Sequence, residues 1–313
     1  MTESYFTEGN LIGTPQNGEY LATLDTLEAA MREGRILEAI AVSAQGTKEL
    51  LVDLGQYTGI IEKDEVQYTH DEPVKDIAVI TRVGKPVCFK VIDIEKKRVG
   101  APLIRLSRRA AQLECAKNFL ARLVPGDVID AKVTHLEPFG AFVDVGCGII
   151  SLLTIDSMSV SRISHPSDRL HVGSEIRVVV RDVQKNADGI PTRIFVTRRE
   201  LLGTWEENAA LFCVGQTVTG TVRSIEPYGI FVELTPNLAG LAEYREGVAV
   251  GQSAAVYIKN IIPERMKIKL VIIDTGHAVP PSRTSMIVSD ARHIDYWRYS
   301  PPVCERVIET VFE

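Results

Sequence analysis

One eight-residue segment occurs twice in the chain and constrains the fold more than any other feature. Pro138–Val145 reads Pro-Phe-Gly-Ala-Phe-Val-Asp-Val, and Pro227–Leu234 reads Pro-Tyr-Gly-Ile-Phe-Val-Glu-Leu. A third, altered copy is present at Lys48–Leu54. Successive side chains of a strand face opposite sides of a sheet, so the alternation in each copy predicts a β-strand. A repeated strand unit indicates a tandem array of one small domain.

The two clear copies each predict an aromatic ring on the solvent face of the strand. Phe142 shares a face with Asp144, and Phe231 shares a face with Glu233. Because an unpaired carboxylate is costly to bury, we interpret that face as the wet one. An aromatic ring held there, beside a glycine that leaves room above the backbone, is a stacking platform for a flat ligand. The alternative is a ring covered by a loop or a neighbouring domain; its recurrence in the same local frame favours the platform.

The composition is that of an ordinary soluble globular protein, with 45% hydrophobic and 24% charged residues. A length of 313 residues predicts two or three domains. The formal net charge of -6 argues against attraction of nucleic acid over the whole surface. A local basic groove is still compatible with it, since charges are screened beyond about 10 Å at physiological salt.

The cysteines and the amino terminus indicate a cytoplasmic protein that has neither a metal nor a cofactor. The five cysteines are scattered and form no CxxC pair, which argues against a zinc site and a disulfide framework. The first residues lack the basic start and apolar run of a secretion signal, and no apolar segment is long enough to span a bilayer. Motifs for phosphate loops, paired metal-binding histidines and nucleophile elbows are absent, so we predict no catalytic residue and no enzyme.

Sets of strands alternate with helices along the chain. A short helix is predicted at Thr23–Glu33 after an irregular lead-in, and another at Val303–Phe312. The aromatic and basic cluster at 292–299 is expected to dock the tail onto the preceding domain, with RNA binding as the alternative. The predicted domains are a lead-in and helix (1–33), three β units (34–107, 125–198 and 214–272), two linker helices (108–124 and 199–213) and a carboxy-terminal extension (273–313).

The wet faces of the second and third units combine aromatic rings with cations. Single-stranded nucleic acid requires this combination, because rings stack on bases and cations hold phosphates. The alternative is that the strand arginines are ordinary cross-strand partners of Asp130 and Asp144. The wet faces gather Phe142, Phe195, Lys132, Arg177, Arg181 and Arg193 in the second unit, and Tyr228, Phe231, Tyr257, Arg223, Lys259, Lys267 and Lys269 in the third. All of these except Lys132, Arg181 and Arg223 are predicted RNA contacts.

Each unit has about five short strands, a number that favours a small closed barrel. The residues of these units also resemble a known family. The second and third units are similar to the S1 RNA-binding domain, an OB-fold barrel, and the first is similar to a diverged copy. Tandem copies joined by short helices resemble the bacterial ribosomal protein S1 family and its short relatives, over about Gly34–Ile272. The segments that carry the resemblance are Gly126–Val128, Pro138–Val145, Arg193–Thr197, Gly215–Val218, Pro227–Glu233 and Lys267–Leu270.

The resemblance implies which aromatic residues stack on bases. The first unit has Lys48 and Leu51 at the matching positions and therefore lacks a platform. In the family, such leading units contact protein, notably the small ribosomal subunit, and by analogy we expect this of the first unit. The histidine that many members carry on the third strand is absent from all three units. The residues that match the stacking aromatics of the family are Phe139 and Phe142, then Tyr228 and Phe231.

These features together predict an all-β protein of three tandem five-stranded OB-type barrels, joined by short helices and followed by a carboxy-terminal extension. We expect it to bind single-stranded RNA through the second and third units, with messenger RNA at the small ribosomal subunit as the context. One alternative is an RNA-binding subunit of a decay or transcription assembly. The other is a protein-interaction scaffold whose barrels have lost RNA binding.

Overall fold

The structure is a computed structural model that describes residues 5–46, 48–69, 72–97, 99–276 and 287–313. Its main features are three closed barrels of five strands, in which the third strand lies between the second and the fifth. This architecture confirms the predicted all-β fold of three tandem barrels. The strands of the first barrel are β1 (Leu37–Gln45), β2 (Glu49–Asp53), β3 (Thr58–Glu62), β4 (Pro86–Glu95) and β5 (Leu103–Ser107).

The second and third barrels repeat this arrangement, with the closing contact of each made by a parallel pair between its third and fifth strands. The second barrel consists of β6 (Val128–Glu137), β7 (Gly140–Asp144), β8 (Ile150–Thr154), β9 (Glu175–Lys185) and β10 (Pro191–Thr197). The third consists of β11 (Thr217–Glu226), β12 (Gly229–Thr235), β13 (Leu238–Ala242), β14 (Ser253–Ile262) and β15 (Lys267–Gly276).

Five α-helices are present in the described residues, and two of them lie in the lead-in. The predicted helix at Thr23–Glu33 is confirmed as α2 (Leu24–Glu33), with Thr23 as its N-cap and Gly34 ending it in the left-handed conformation. The predicted irregular lead-in is wrong at α1 (Pro15–Leu21). Its signal is Thr14, whose hydroxyl accepts the Asn17 N–H, followed by a proline at the first helical position.

The remaining helices are short connectors. The predicted helix after the first barrel is confirmed as α4 (Arg108–Asn118), capped by the hydroxyl of Ser107. The other two are α3 (Asp76–Ile80) within the first barrel and α5 (Trp205–Ala209) after the second. None of the helices among the described residues combines the length and apolar character that crossing a membrane requires.

The tail ends in a strand pair instead of the predicted helix. The prediction of a helix at Val303–Phe312 is wrong, because Glu309–Val311 (β17) pairs antiparallel with Tyr296–Arg298 (β16). Docking of the tail is confirmed: Trp297 and Tyr299 belong to the apolar core that includes Trp205 and the interior of the third barrel. Residues 277–286 of the predicted extension lie outside the described residues.

The chain forms two compact units. One contains residues up to 123 together with 144–151 and 183–193, and its apolar core is the interior of the first barrel with residues of α2. The other contains 124–143, 152–182 and 194–313, and its main core is the interior of the third barrel with the docked tail.

Candidate nucleic-acid interface

Two aromatic residues form an exposed pair on the second barrel. Phe142 lies on β7 and is half-buried, whereas Phe139, just before the strand, is 54% exposed. Their ring centroids are 6.0 Å apart, with an angle of 89° between the ring planes. The edge of one ring therefore meets the face of the other, a favoured arrangement for two aromatic side chains.

The third barrel has the same arrangement at the matching positions. Phe231 lies on β12 and is half-buried, and Tyr228 is 68% exposed. The ring centroids are 6.2 Å apart and the planes meet at 87°. The structure thus brings together the two aromatic residues predicted for each barrel, in one geometry that occurs twice.

The two strands that carry the platform rings, β7 and β12, each begin with a glycine because the next strand approaches it too closely for a side chain. A Cβ at Gly140 would lie 2.5 Å from the carbonyl oxygen of Leu153, and a Cβ at Gly229 would lie 2.4 Å from that of Ala242. The prediction that these glycines leave room for a ligand is wrong, because the neighbouring strand takes up that space. These glycines let the barrel close beside the platform, which fixes the strand that carries the rings.

The carboxylates that were expected to mark the wet face are buried, and this prediction is wrong. Asp144 is 1% exposed and Glu233 is 4% exposed. Glu233 accepts hydrogen bonds from the guanidinium groups of Arg169 and Arg223. Asp144 accepts three backbone N–H groups, from Glu8 at 2.7 Å and from two glycines. Carboxylates that have hydrogen-bond partners can be buried. Sharing a strand face with an acidic residue therefore does not show that a ring is exposed; the solvent accessibility of the ring itself shows it.

A line of three side chains crosses the outer face of the third barrel. Phe231 on β12 lies directly opposite Leu241 on β13, which lies opposite Lys269 on the parallel strand β15. Neighbouring strands are about 4.8 Å apart, so the backbone of Lys269, two strands away, lies roughly 10 Å from the backbone of Phe231. Lys267 on the same strand and Lys259 on β14 are also exposed.

The corresponding line on the second barrel ends in a ring instead of a cation. Phe195 on β10 lies opposite Leu152 on β8, and Phe195 is half-buried. Arg193, two residues earlier on β10, is exposed. Tyr257 of the third barrel is 37% exposed on β14, opposite Thr217. The second barrel is therefore richer in rings along this line, and the third richer in cations.

Two of the cations that were expected on the wet faces are engaged within the fold. The guanidinium of Arg177 donates hydrogen bonds of 2.6 Å to the carbonyl oxygens of Ser289 and Ala291 in the tail. Arg223 is bound to Glu233, as described above. In this structure the donors of Arg177 point at the tail carbonyls.

His135 is a platform residue that the sequence reasoning missed. Its ring lies 6.3 Å from that of Phe142, with 24° between the planes, and its Nε2 is 2.7 Å from a carboxylate oxygen of Glu137. Register places Ser224 at the matching position of the third barrel, opposite Phe231. The signal was available, because His135 stands three residues before the Pro138–Val145 segment.

The first barrel presents aliphatic side chains where the others present polar ones. Ile40 is 37% exposed and Val42 is 49% exposed on β1. Leu51 takes the platform position. It lies opposite Ile60, which lies opposite Arg105, just as Phe231 lies opposite Leu241 and Leu241 lies opposite Lys269. Arg105 is paired with Glu62 and Asp93. Lys48 and Leu51 thus leave the first barrel without an aromatic pair.

Within the ranges that the structure describes, no three His, Cys, Asp or Glu side chains are grouped so that they could hold a metal ion. The site consists of aromatic rings on the outer face of two barrels, with cations near them. Such a surface can stack flat groups and attract negative ones.

Known proteins that are similar to this chain include members of an RNA-binding domain family and ribosomal proteins. The S1 RNA binding domain family matches residues 123–194. Small ribosomal subunit protein bS1 of Mycobacterium leprae is 29% identical over 278 residues, which is 84% of this chain and 55% of that protein. The bS1 homolog of Bacillus subtilis is 30% identical over 234 residues, 72% of this chain and 56% of the homolog. The chain therefore spans little more than half the length of these two relatives.

Proposed function

This chain is an S1 RNA-binding domain protein and a distant homologue of ribosomal protein bS1 over most of its length, and we propose that it binds single-stranded RNA through its second and third barrels. The observation that carries the proposal is the pair of perpendicular rings, one exposed and one half-buried, which recurs with nearly the same distance and angle in both barrels. Two barrels with one platform geometry suit a repeating polymer of flat groups.

In this proposal the aromatic rings stack on the bases of the RNA, and the cations bind its phosphates. Each base stacked on a ring contributes roughly 1–3 kcal/mol, whatever its identity. Bases in a duplex hide their faces, so the platforms select single strands. Phe139, Phe142, Tyr228 and Phe231 are the proposed stacking residues; Arg193, Lys259, Lys267 and Lys269, which are exposed, are the proposed phosphate contacts.

The finer proposal places this activity in translation, with messenger RNA held at the small ribosomal subunit. It is supported by the relatives, which are small ribosomal subunit proteins by name. It is also supported by the first barrel, where Ile40 and Val42 give an aliphatic surface in place of an RNA platform. A protein partner covers aliphatic surface favourably, so the first barrel is the proposed contact with the ribosomal subunit.

The test of RNA binding is fluorescence anisotropy with a labelled unstructured RNA and with the same RNA annealed to its complement. We expect the Phe142→Ala/Phe231→Ala variant to bind the single strand at least thirtyfold more weakly than wild type, about 2 kcal/mol. Leu51→Ala is the matched control, because it truncates the side chain at the same position of the barrel that lacks a platform, and its affinity should equal wild type. Equal affinity of wild type for duplex and single strand would refute the stacking mechanism.

A protein-interaction scaffold is the second candidate, and the aliphatic face of the first barrel favours it. In that case the wild-type protein shows no binding to labelled RNA at low salt. Affinity capture of ribosomal components by wild type but not by the Ile40→Lys/Val42→Lys variant would support the ribosomal contact. Capture of decay or transcription components by both the wild type and the variant would instead assign the chain to another assembly.

A further inference from the structure

The residue that follows the fifth strand is an arginine in both the first and the second barrel. The sequence is Leu-Ser-Arg-Arg at the end of β5 and Val-Thr-Arg-Arg at the end of β10, so Arg108 and Arg198 occupy equivalent positions. Both are buried: Arg108 is 0% exposed and Arg198 is 7% exposed. The two sites can therefore be compared as copies of one structural feature.

Arg108 makes four hydrogen bonds through its guanidinium, two of them to one carboxylate. Its Nε and Nη2 atoms donate to the two carboxylate oxygens of Glu8 at 2.6 and 3.1 Å. Nη1 donates to the carbonyl oxygen of Val66, and Nη2 also donates to that of Gly148. One carboxylate neutralises the charge, and two carbonyl oxygens accept further hydrogen bonds.

Arg198 has none of these contacts among the described residues. Its backbone N–H donates to the carbonyl oxygen of Ser157, but its guanidinium has no hydrogen-bond acceptor and no carboxylate partner there. The guanidinium nitrogens are also not fully enclosed, since the buried polar side-chain atoms without a partner in the described ranges are Trp297 Nε1 and Arg298 Nε alone. The small exposed part of Arg198 thus includes its donors.

The surroundings add positive charge. Burial, followed by repulsion from Arg169, lowers the pKa of Arg198 to about 10. Arg169 and Arg223 share the carboxylate of Glu233, and Arg223 also lies near Asp168. Three arginines with two carboxylates leave a net positive charge on the cluster. Segment 277–286, outside the described residues, contains no Asp or Glu and so brings no carboxylate.

We infer that Arg198 binds a phosphate group, and that in the functioning protein this is a backbone phosphate of single-stranded RNA. A phosphodiester carries one negative charge and two free oxygens, which match the guanidinium fork as the Glu8 carboxylate matches Arg108. Phe195, a ring of the second barrel's outer line, is three residues away in the chain. The inference rests on the proposed RNA binding, and adds a contact in the linker between the two platform barrels.

The test compares wild type, Arg198→Gln and Arg198→Lys by anisotropy with labelled oligouridylate over a salt series. Removal of one phosphate contact should lower the slope of log affinity against log salt by about 0.7. We expect Arg198→Gln to show this change and about tenfold weaker binding at low salt, while Arg198→Lys retains the slope because it keeps the charge. Arg122→Gln is the control, since it removes the same charge at an exposed site, and its slope should equal wild type.

A second arm uses inorganic phosphate and thermal unfolding at constant ionic strength. Phosphate should raise the Tm of wild type more than that of Arg198→Gln, because a ligand that binds the folded state stabilises it. A difference in Tm without a difference in salt slope would assign the site to a free anion and overturn the RNA contact. Equal behaviour of wild type and Arg198→Gln in both arms would overturn the site altogether.

Failure of the proposed function gives a separate result. If wild type binds no RNA at low salt, both the RNA function and the RNA contact of Arg198 are wrong, and the phosphate arm then shows only whether a free anion binds. Misfolding is distinguished by urea unfolding without phosphate: loss of an unpaired buried charge should leave the midpoint of Arg198→Gln no lower than wild type. A lower midpoint would show that Arg198 has a partner in the fold itself, which also contradicts the inference.

Discussion

Glu8 and Arg108, a hundred residues apart in the chain, form a buried two-point ion pair. Burial opposes ionisation of Glu8, but attraction and hydrogen bonding by Arg108, with a further contribution from Arg82, outweigh it and hold the pKa of Glu8 below its usual value. The N–H of Cys88 donates to the same carboxylate at 3.1 Å. The segment before α1 is therefore part of the folded unit around the first barrel.

Removal of one partner of this pair should destabilise the unit strongly. We expect Glu8→Gln or Arg108→Met to lower the free energy of unfolding by about 3–5 kcal/mol, because each leaves an uncompensated buried group. The double variant Glu8→Gln/Arg108→Met should cost less than the sum of the single variants. Urea unfolding of all three measures this, with Arg109→Met as the exposed control, expected within about 1 kcal/mol of wild type. Additive losses would mean that the two residues do not stabilise each other.

The same ion pair explains a glycine in the loop after β7. Gly148 has a φ of +71°, and a Cβ there would lie 2.0 Å from Arg108 Nη2 and 2.4 Å from a Glu8 carboxylate oxygen. Gly148→Ala should therefore disrupt the pair as well as strain the backbone. Gly55 is the matched control, because it has a φ of +84° and nothing within 4 Å of its Cβ position. We expect Gly55→Ala to cost about 1 kcal/mol and Gly148→Ala several times more in urea unfolding. Equal costs would show that the crowding at Gly148 relaxes freely.

A second buried carboxylate predicts a pH dependence of the opposite sign. Glu38 is 1% exposed, and burial raises its pKa to about 7, although the N–H groups of Leu11 and Gly9 oppose the shift. Because this folded pKa lies above the usual 4.5, the stability that protonated Glu38 contributes is complete below about pH 4.5 and is lost as the pH rises through 7.

Glu38→Gln should remove this pH dependence. The variant is expected to equal wild type near pH 4.5 and to be more stable above pH 7, by up to about 3 kcal/mol. The lowered pKa of Glu8 makes stability fall at acid pH in both proteins, so the difference between them isolates Glu38. Glu95→Gln, at an exposed carboxylate, is the control. A constant difference between Glu38→Gln and wild type from pH 4.5 to 8 would contradict a titrating Glu38.

The sequence predicted the barrels and the rings but not the ionic contacts. Alternation of side chains decides which residues share a face of a strand, and this local property located Phe142 and Phe231 correctly beside their exposed partners. It does not decide which face finds a buried partner. Glu233 is buried because Arg169 reaches it from 64 residues away, and nothing local to either residue indicates the contact. The tail strands were missed for the same reason, because each is formed by pairing with the other.

The first barrel offers a test of whether an aromatic pair is sufficient to create an RNA site. Leu51 lies between Ser43 and Ile60 as Phe231 lies between Ser224 and Leu241. Arg105 stands where the third barrel has Lys269. We expect Lys48→Phe/Leu51→Phe to add a third platform, which should lengthen the RNA site and tighten binding by roughly 1–3 kcal/mol per added stacked base. Oligouridylates of increasing length, titrated by anisotropy, measure the site size.

Ile77→Phe is the matched control for this gain, since it adds a ring to an exposed position of the same barrel away from the platform strand. It should leave the site size unchanged, because a single ring that lacks a perpendicular partner ring and a neighbouring cation does not bind additional nucleotides of the RNA. If the double substitution also leaves the site size unchanged, the ion pair of Arg105 with Glu62 becomes the deciding feature. Adding Glu62→Gln would then free the arginine, and a gain that appears only in this triple variant would show that ring and cation act together.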